Sequence, residues 1–522
     1  MTNAAGPPTT PRAAPLAGLL ATALALATAE LVAGILPGGR SPFSAVADQV
    51  IALTPAPVVG AAIDVLGPAN RPVLLLAMLL VAASAGVVVA GWTERWRLAA
   101  PLGVAPFALA AVAAGLADPL LPDLTAVAAP LAGAMVGVLV LWRVPAVVAP
   151  PRPRSPEDGV LENPADPPVA TRRQLLVWGT SAAGAAALFA VAGRALQARG
   201  AAGASAGDVT LPRPSAPLPA PPAAASLDVD GISPLITPNA DFFRIDTAFT
   251  LPRIDPDTHV LRITGMVDRP FTVSYPELLE MADTEADVTI ACVSNEVGGD
   301  LIGNARWLGV PLDRLLDRAG VQPGTTQVVG RAVDGWTAGF PLAVLDGRPA
   351  LVAVGMNGEP LPVKHGFPVR LVIAGLYGYV SDTKWLADIE LTTFDAYDAY
   401  WVRRGWAREG PIKTQSRIDV PRPGRSVPAG PATVAGVAWA GERGISKVEV
   451  AVDDGPWQTA ELATELAPTT WRLWRMEWEA TPGEHALRVR ATDGTGETQT
   501  DVVSPPPPDG ATGHHTVRVA VV

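Results

Sequence analysis

The sequence predicts a multidomain chain: N-terminal transmembrane helices, then an α+β domain, then a C-terminal all-β immunoglobulin-like sandwich. Three observations carry this. Long apolar stretches crowd the first third of the 522 residues. A segment rich in Ala and Pro then breaks the hydrophobic pattern, and beyond it strand and helix signals mix without a regular βαβ repeat. From about residue 411 helix signals disappear and short runs with a two-residue period take over. A chain this long exceeds what one ordinary core can organise.

Four apolar stretches, near 15–36, 72–92, 98–117 and 124–142, make a membrane domain over 1–143. Each is long enough to cross a hydrocarbon core of about 30 Å, which takes roughly 20 helical residues. Between the first two, the segment 45–67 carries Asp48, Asp64 and two prolines and reads as re-entrant or interfacial. Glu30, Asp48 and Asp64 read as interfacial too, with a functional polar site in the membrane as the alternative. A Pro/Arg-rich linker over 144–172 leads to a fifth span, the anchor at 173–195. With Arg12 in the cytoplasm and 45–67 not crossing, TERWR (93–97), Arg143, Arg152, Arg154, Arg172 and Arg173 all fall inside, while the acidic ADPLLPD loop (117–123) falls outside. That is the arrangement the positive-inside rule prefers, and it sends everything after the fifth span out of the cytoplasm. TRRQLLVWG (171–179) also resembles a twin-arginine export signal placed internally, although ordinary anchoring explains the same arginines.

Residues 196–230 are dominated by Ala, Pro, Gly and Ser and are expected to form an extended tether. The α+β domain is expected over 231–400. HVLRITGMV (259–267) alternates like a strand, SYPELLEMA (274–282) opens like a capped helix, Asn357-Gly358 signals a hairpin, and FPVRLVIAG (367–375) reads as a buried strand. The sandwich is expected over 411–522. There KVEVAVDDGPW (447–457) and HALRVRATDG (485–494) alternate apolar with charged residues, and WRLWRMEWEA (471–480) puts Trp474, Met476 and Trp478 on one face.

A net charge of −11 and the lack of any basic cluster with interleaved aromatics exclude nucleic acid as a partner. The single cysteine, Cys292, rules out an intramolecular disulfide. It follows the apolar run VTIA and precedes a polar, Gly-rich turn, so it sits at a strand end facing an open loop. A thiol so placed is either a small buried hydrophobe, a ligand to a soft metal, or a nucleophile served by a base such as His365. The five histidines are scattered without metal-ligand spacing, so a metal at Cys292 would take most of its coordination from a cofactor.

Several stretches in order resemble the sulfite oxidase family. They are ITPNADFFRID (236–246), DPDTHVLRITG (255–265), the Cys292 segment through ARWLGVPL (305–312), MNGEPLPVKHGFPVRLVIAG (356–375) and TKWL (383–386), continuing through YWVRRGW (400–406), KTQSRIDVP (413–421), AGVAWAG (435–441) and VDDGPW (452–457). The resemblance covers 231–522 and implies a sulfite-oxidase-type molybdopterin domain followed by a dimerisation domain, hence a homodimer. It implies the cofactor Mo-molybdopterin, with Cys292 as thiolate ligand to molybdenum. His365 and Arg370 would hold the pterin's polar groups and phosphate. Thr383 and Lys384 would add a phosphate contact, Phe243 and Arg244 would line the cofactor, and Asp334 would touch the pterin. Arg244 and Arg518 would offer charge to a small-molecule substrate beside Trp406.

Several positions depart from the family pattern. The paired arginines after the cysteine are Glu296 and Val297, Trp406 replaces the active-site tyrosine, and Arg244-Ile245-Asp246 replaces an Arg-Asn-His run. Both sulfite-like oxidation and reduction of an S-oxide or N-oxide therefore stay open. No CxxCH occurs and the first histidine is His259, so no haem is predicted in the spans and electrons must pass to a separate carrier. The expectation is a membrane-anchored, extracytoplasmic molybdopterin oxidoreductase. Its rivals are a cofactor-free cell-surface binding protein on the same fold and a cysteine hydrolase using Cys292 and His365.

Overall fold

In a hydrocarbon environment a spanning segment must satisfy its own backbone polar groups, and each long apolar stretch does so as a helix. The computed structural model describes residues 13–36, 40–148, 172–200, 209–248 and 250–522. Helix α1 (Ala13–Ile35) is followed by α2 (Pro42–Leu53), α3 (Ala56–Leu66), α4 (Asn70–Thr93), α5 (Ala99–Ala117), α6 (Asp123–Val148) and α7 (Arg172–Gly200). Five helices among the described residues are long and apolar enough to cross a membrane, and they coincide with the five expected spans. The 45–67 segment is broken at Thr54-Pro55 into α2 and α3, of 12 and 11 residues. Each rises less than about 20 Å, short of a hydrocarbon core. Small residues let α1 approach its neighbours: a Cβ on Gly18 would lie 2.5 Å from the Gly86 carbonyl of α4, and one on Gly34 would lie 2.5 Å from that of Gly193 on α7. Residues 149–171 of the linker, with the threonine of the twin-arginine-like stretch, and 201–208 of the tether lie outside the described residues.

A second compact unit takes in 204–247 and 251–522. Its first half contains β1 (Val260–Gly265), β2 (Phe271–Ser274), α8 (Tyr275–Met281), β3 (Thr284–Ala291), β4 (Ile302–Pro311), α9 (Leu312–Ala319), β5 (Gln327–Ala332), β6 (Thr337–Pro341), β7 (Ala350–Met356), β8 (Glu359–Pro360), β9 (Arg370–Ile373), α10 (Gly378–Ser381) and β10 (Leu386–Thr392). Two mixed or antiparallel sheets result, one in the order β2-β1-β10-β5-β6 and one in the order β3-β4-β7-β8 with β9 also on β7. Ser274 starts α8 with a capping box, its hydroxyl accepting from the Glu277 amide while the Glu277 carboxylate accepts from the Ser274 amide at 2.7 Å. At the expected hairpin, Asn357 and Gly358 have φ of 54° and 80°, the left-handed pair that a two-residue turn requires.

The second half contains β11 (Gln415–Val420), β12 (Ser426–Val427), β13 (Gly430–Trp439), β14 (Ile445–Val452), β15 (Gln458–Thr459), β16 (Glu461–Leu462), β17 (Arg472–Ala480), β18 (Gly483–Asp493) and β19 (His515–Val521). They form two sheets, β11-β13-β17-β16 and β12-β19-β18-β14-β15. Val434, Trp474 and Met476 of the first meet Val448, Val450, Leu487, Val489, Val517 and Val519 of the second in one core, with Trp478 packed against it, as the alternation predicts.

One expectation is corrected. The stretch 209–230 is no tether. Ser215 donates its amide to the Asp283 carbonyl at 3.1 Å, Leu218 donates to Glu285 at 2.8 Å, the Ala224 carbonyl accepts from Thr464 at 2.8 Å, and Ala225 is fully buried. Its few amides and carbonyls find partners on the domain, which offsets the entropy its composition would otherwise keep. Beside its own core, the sandwich part also contributes to the first half's: Val437, Trp439, Trp471 and Leu473 from β13, β17 and the approach to it pack there. Over 434–439 of β13 both faces are buried, one against each core.

Asn357 also ties the hairpin to the chain that leads into the site. Its side-chain amide donates to the Thr237 carbonyl and to Asn239 Oδ1, both at 2.9 Å, and its Oδ1 accepts from the Arg306 amide at 2.9 Å. Asn357→Ala should cost about 2–3 kcal/mol, from these lost bonds and from a left-handed φ that alanine tolerates poorly. Urea unfolding followed by tryptophan fluorescence measures it.

Candidate active site

Strand β3 ends at Ala291, and the next residue leaves the sheet with its backbone still anchored: the Cys292 amide donates to the Leu301 carbonyl at 2.9 Å. Asn295 closes the following loop, its amide donating to the Cys292 carbonyl at 3.0 Å and its Oδ1 accepting from Leu301 at 2.8 Å. The outer edge of β3 is covered rather than open. Thr289 exchanges bonds with the segment before β17, donating to the Thr469 carbonyl at 2.9 Å and accepting from the Trp471 amide at 2.8 Å. Cys292 is thus a half-buried strand-end residue on a rigid support, as its sequence context predicts. Burial pushes its thiol pKa up, against hydrogen bonds from Ser294.

Cys292 lines a cavity of about 110 Å³ together with Phe243, Asp246, Asp334, Arg370, Asp382, Lys384 and Trp406. Trp336, Tyr379, Trp385 and Trp401 supply aromatic walls. Trp406 lies with ring centroids 5.4 Å from both Tyr379 and Trp401. Phe243 stacks on Phe242 at 5.3 Å. Asp334 Oδ1 accepts from the Trp336 amide at 3.1 Å, which holds the β5–β6 turn against the cavity.

Each cation on the wall is held by a carboxylate. Arg370 is 4% exposed and forms a two-pronged ion pair with Asp382, with Nε donating to Oδ1 at 2.6 Å; its Nη1 donates to the His365 carbonyl at 3.0 Å. Lys384 pairs with Asp246 at 3.1 Å, and burial lowers the ammonium to about 8 against the pull of Asp246. Asp246 also accepts from Arg244 Nε at 2.7 Å; burial alone would raise the carboxyl, but the bond from Arg244 and the charges of Lys384 and Arg244 hold it below the usual carboxylate range. Gly366, at φ 113°, sits between these cations: a Cβ there would lie 3.1 Å from the Lys384 Cα and 3.3 Å from the Arg370 Cβ.

Of the ten residues singled out in the sequence, the structure brings Cys292, Phe243, Asp334, Arg370, Lys384 and Trp406 together around this cavity. The other four do not line it. His365 is 1% exposed, with its Nε2 3.0 Å from the Asn239 carbonyl and its ring edge-on to Phe242, so it supports the wall from behind. Burial and the neighbouring Arg370 bring its pKa down to about 3, which makes it a weak base for Cys292. Arg244 is committed to Asp246. Thr383 is fully buried, its hydroxyl unpartnered and pressed toward Gly330. Arg518 is exposed on β19, between Val517 and Val519 that face the sandwich core, and so points away from it. The carboxylates Asp246 and Asp382 were missed, although each lies within two residues of a matched cation and an uncompensated buried cation demands a partner. Trp336, Tyr379 and Trp401 carried no local signal beyond being aromatic.

Among the described residues no three His, Cys, Asp or Glu side chains gather as a metal site, so a metal at Cys292 would draw its other ligands from a cofactor.

Residues 248–401 match the family model of the oxidoreductase molybdopterin binding domain, and residues 410–504 match that of the Mo-co oxidoreductase dimerisation domain. The chain is 32% identical over 320 residues to human mitochondrial sulfite oxidase, covering 52% of this chain and 58% of that protein. It is 33% identical over 150 residues to the uncharacterized oxidoreductase YuiH of Bacillus subtilis, covering 29% of this chain and 73% of that protein. Among solved structures it is similar to the sulfane dehydrogenase SoxCD of Paracoccus pantotrophus, at 24% identity and a TM-score of 0.49, covering 55% of this chain and 82% of that one. The chain thus spans a little over half the length of the curated mammalian sulfite oxidases it matches.

A histidine held neutral in the fold and protonated when unfolded removes stability as pH falls below its unfolded value. For His365, between pH 6.5 and about 3, the unfolded chain binds more protons than the folded one. Its share of the loss at pH 5 is about 2 kcal/mol. His365→Gln should shrink the difference in urea stability between pH 7 and pH 5 by that amount.

Proposed function

The chain belongs to the sulfite oxidase family of molybdopterin-dependent oxidoreductases, and on that premise we propose that it is a membrane-anchored enzyme, its catalytic part outside the cytoplasm, that transfers an oxygen atom between a small substrate and water in a two-electron step. The observation that carries the proposal is the placing of the chain's one thiol, Cys292, on a cavity wall that also holds Arg370 and Lys384. These residues fit Mo-molybdopterin: a soft donor for the metal and two largely buried cations for a phosphate. When bound, that cofactor supplies the metal chemistry of oxygen transfer and takes or gives the electron pair.

The chain's own residues would do the rest. Cys292 holds the metal as thiolate, a form that coordination favours even though burial disfavours it in the free protein. Arg370 and Lys384 bind the pterin's polar groups and phosphate. Asp382 and Asp246 keep those two cations oriented, and His365 braces the Asn239 segment behind them. With both cations lining the cavity assigned to the cofactor, the remaining wall is aromatic, which favours a neutral S-oxide or N-oxide over a sulfite-like anion. The two-sheet C-terminal part reads as immunoglobulin-like and as the surface of a homodimer, with a separate carrier exchanging the electrons.

Molybdenum per chain, measured by elemental analysis on protein from a host that makes the cofactor, should be near one. Cys292→Ser should abolish oxygen-transfer activity with an artificial electron dye. Protein without molybdenum from such a host would favour a cofactor-free cell-surface binding protein instead. For orientation, alkaline phosphatase fused after residue 200 should be active and a fusion after residue 150 inactive; the reverse pattern would put the catalytic part in the cytoplasm.

A further inference from the structure

The membrane bundle contains a cavity of its own, about 410 Å³, between α1, α4, α5 and α6 with α2 alongside. Ala, Gly and Val make most of its wall, and Thr22 and Glu30 are its only polar lining residues. An apolar cavity of about 150 Å³ already takes a benzene-sized guest, and ligand sites run from about 300 to 1,000 Å³, so this one is the size of a small lipophilic molecule.

Its polar end is built. Glu30 is 8% exposed; its Oε1 accepts from the Ser41 hydroxyl at 2.6 Å and its Oε2 from Gln197 of α7 at 3.1 Å. Ser41 is the N-cap of α2, and the adjoining Arg40 is fixed between Asp48 at 2.6 Å and Asp118 at 2.9 Å. Within this cluster the buried atoms Arg40 Nε and Asp118 Oδ2 have no partner. A carboxylate offers about four acceptor positions, so Glu30 keeps capacity to spare. Thr22 gives its proton to the Gly18 carbonyl at 3.0 Å and is left an acceptor. The cavity therefore asks for a guest with a hydroxyl donor at one end and apolar surface everywhere else. An ionisable group inside a membrane bundle is costly and is kept where it meets a ligand or a proton.

We propose that this cavity binds a membrane quinol, with a ring hydroxyl donating to Glu30 and the ring and isoprenoid tail against the small apolar residues of α4, α5 and α6. The choice of a redox carrier rests on the two-electron oxidoreductase reading above. Residues 1–203 contain no His and no Cys, so these helices have no side chains for a haem or an iron–sulfur cluster, and a lipid-soluble two-electron carrier is the kind that can enter them.

The full-length protein in nanodiscs of quinone-free phosphatidylcholine is dialysed to equilibrium with decylubiquinol, against empty nanodiscs of the same lipid. The expected result is a saturable excess of about one quinol per chain, weakened at least tenfold by Glu30→Gln and abolished by Ala134→Phe, which fills the cavity. Decane should not displace the quinol. Equal displacement by decane would make this a site for any apolar chain, and unchanged binding in both variants would place the quinol elsewhere; either result overturns the proposal. Molybdenum content and melting of the same samples report folding. Saturable quinol binding without molybdenum supports the site and removes the enzyme reading, whereas molybdenum without saturable quinol binding overturns the site alone.

Discussion

The second compact unit depends on the buried ion pair between Arg370 and Asp382. Arg370 is the first residue of β9, Asp382 follows α10, and the pair joins the two segments at the base of the cavity. The same guanidinium donates to the His365 carbonyl and lies 5.1 Å over the ring of Trp307, which is fully buried in β4. One side chain thereby sets the distance between the Gly366 turn, the second sheet and the turn carrying Lys384. Removing either partner would leave the other charged, buried and unmatched, a cost of several kcal/mol, so the pair behaves as one part.

The second constraint is that β3, which delivers Cys292, borrows its outer-edge partners from the C-terminal half. Thr289 bonds with the Thr469–Trp471 segment, Thr469 Oγ1 donates to the Asp287 carbonyl at 2.6 Å, and Trp471 Nε1 donates to the Leu235 carbonyl at 2.8 Å. The two family models that meet near residue 405 thus describe one physical body. The position of the thiol is as much a property of the sandwich as of the strand before it.

Much of this organisation was legible because its causes are local. Thirty ångströms of lipid demand about twenty apolar residues, so the five spans are written plainly, and Thr54-Pro55 marks where α2 stops. Asn357-Gly358 declares a turn that only such residues adopt at low cost. Less legible was the stretch 209–230, whose composition argues for a free tether but whose amides find partners on the domain. Arg518 and His365 show the same limit at the site: a matched motif places a residue on a strand or turn, and the direction of its side chain follows from packing.

By itself the sequence determined which segments can lie in lipid, where the strands alternate, and that a lone thiol stands at a strand end before a polar loop. Each follows from the covalent order of side chains and the fixed periods of helix and strand. Only the tertiary structure decided that Asp246 and Asp382 occupy the cations of the cavity, that Arg518 faces outward, and that Glu30 meets Ser41 and Gln197 beside an apolar hollow. These are encounters between residues distant in sequence, and they exist because burying a charge forces the fold to bring it a partner.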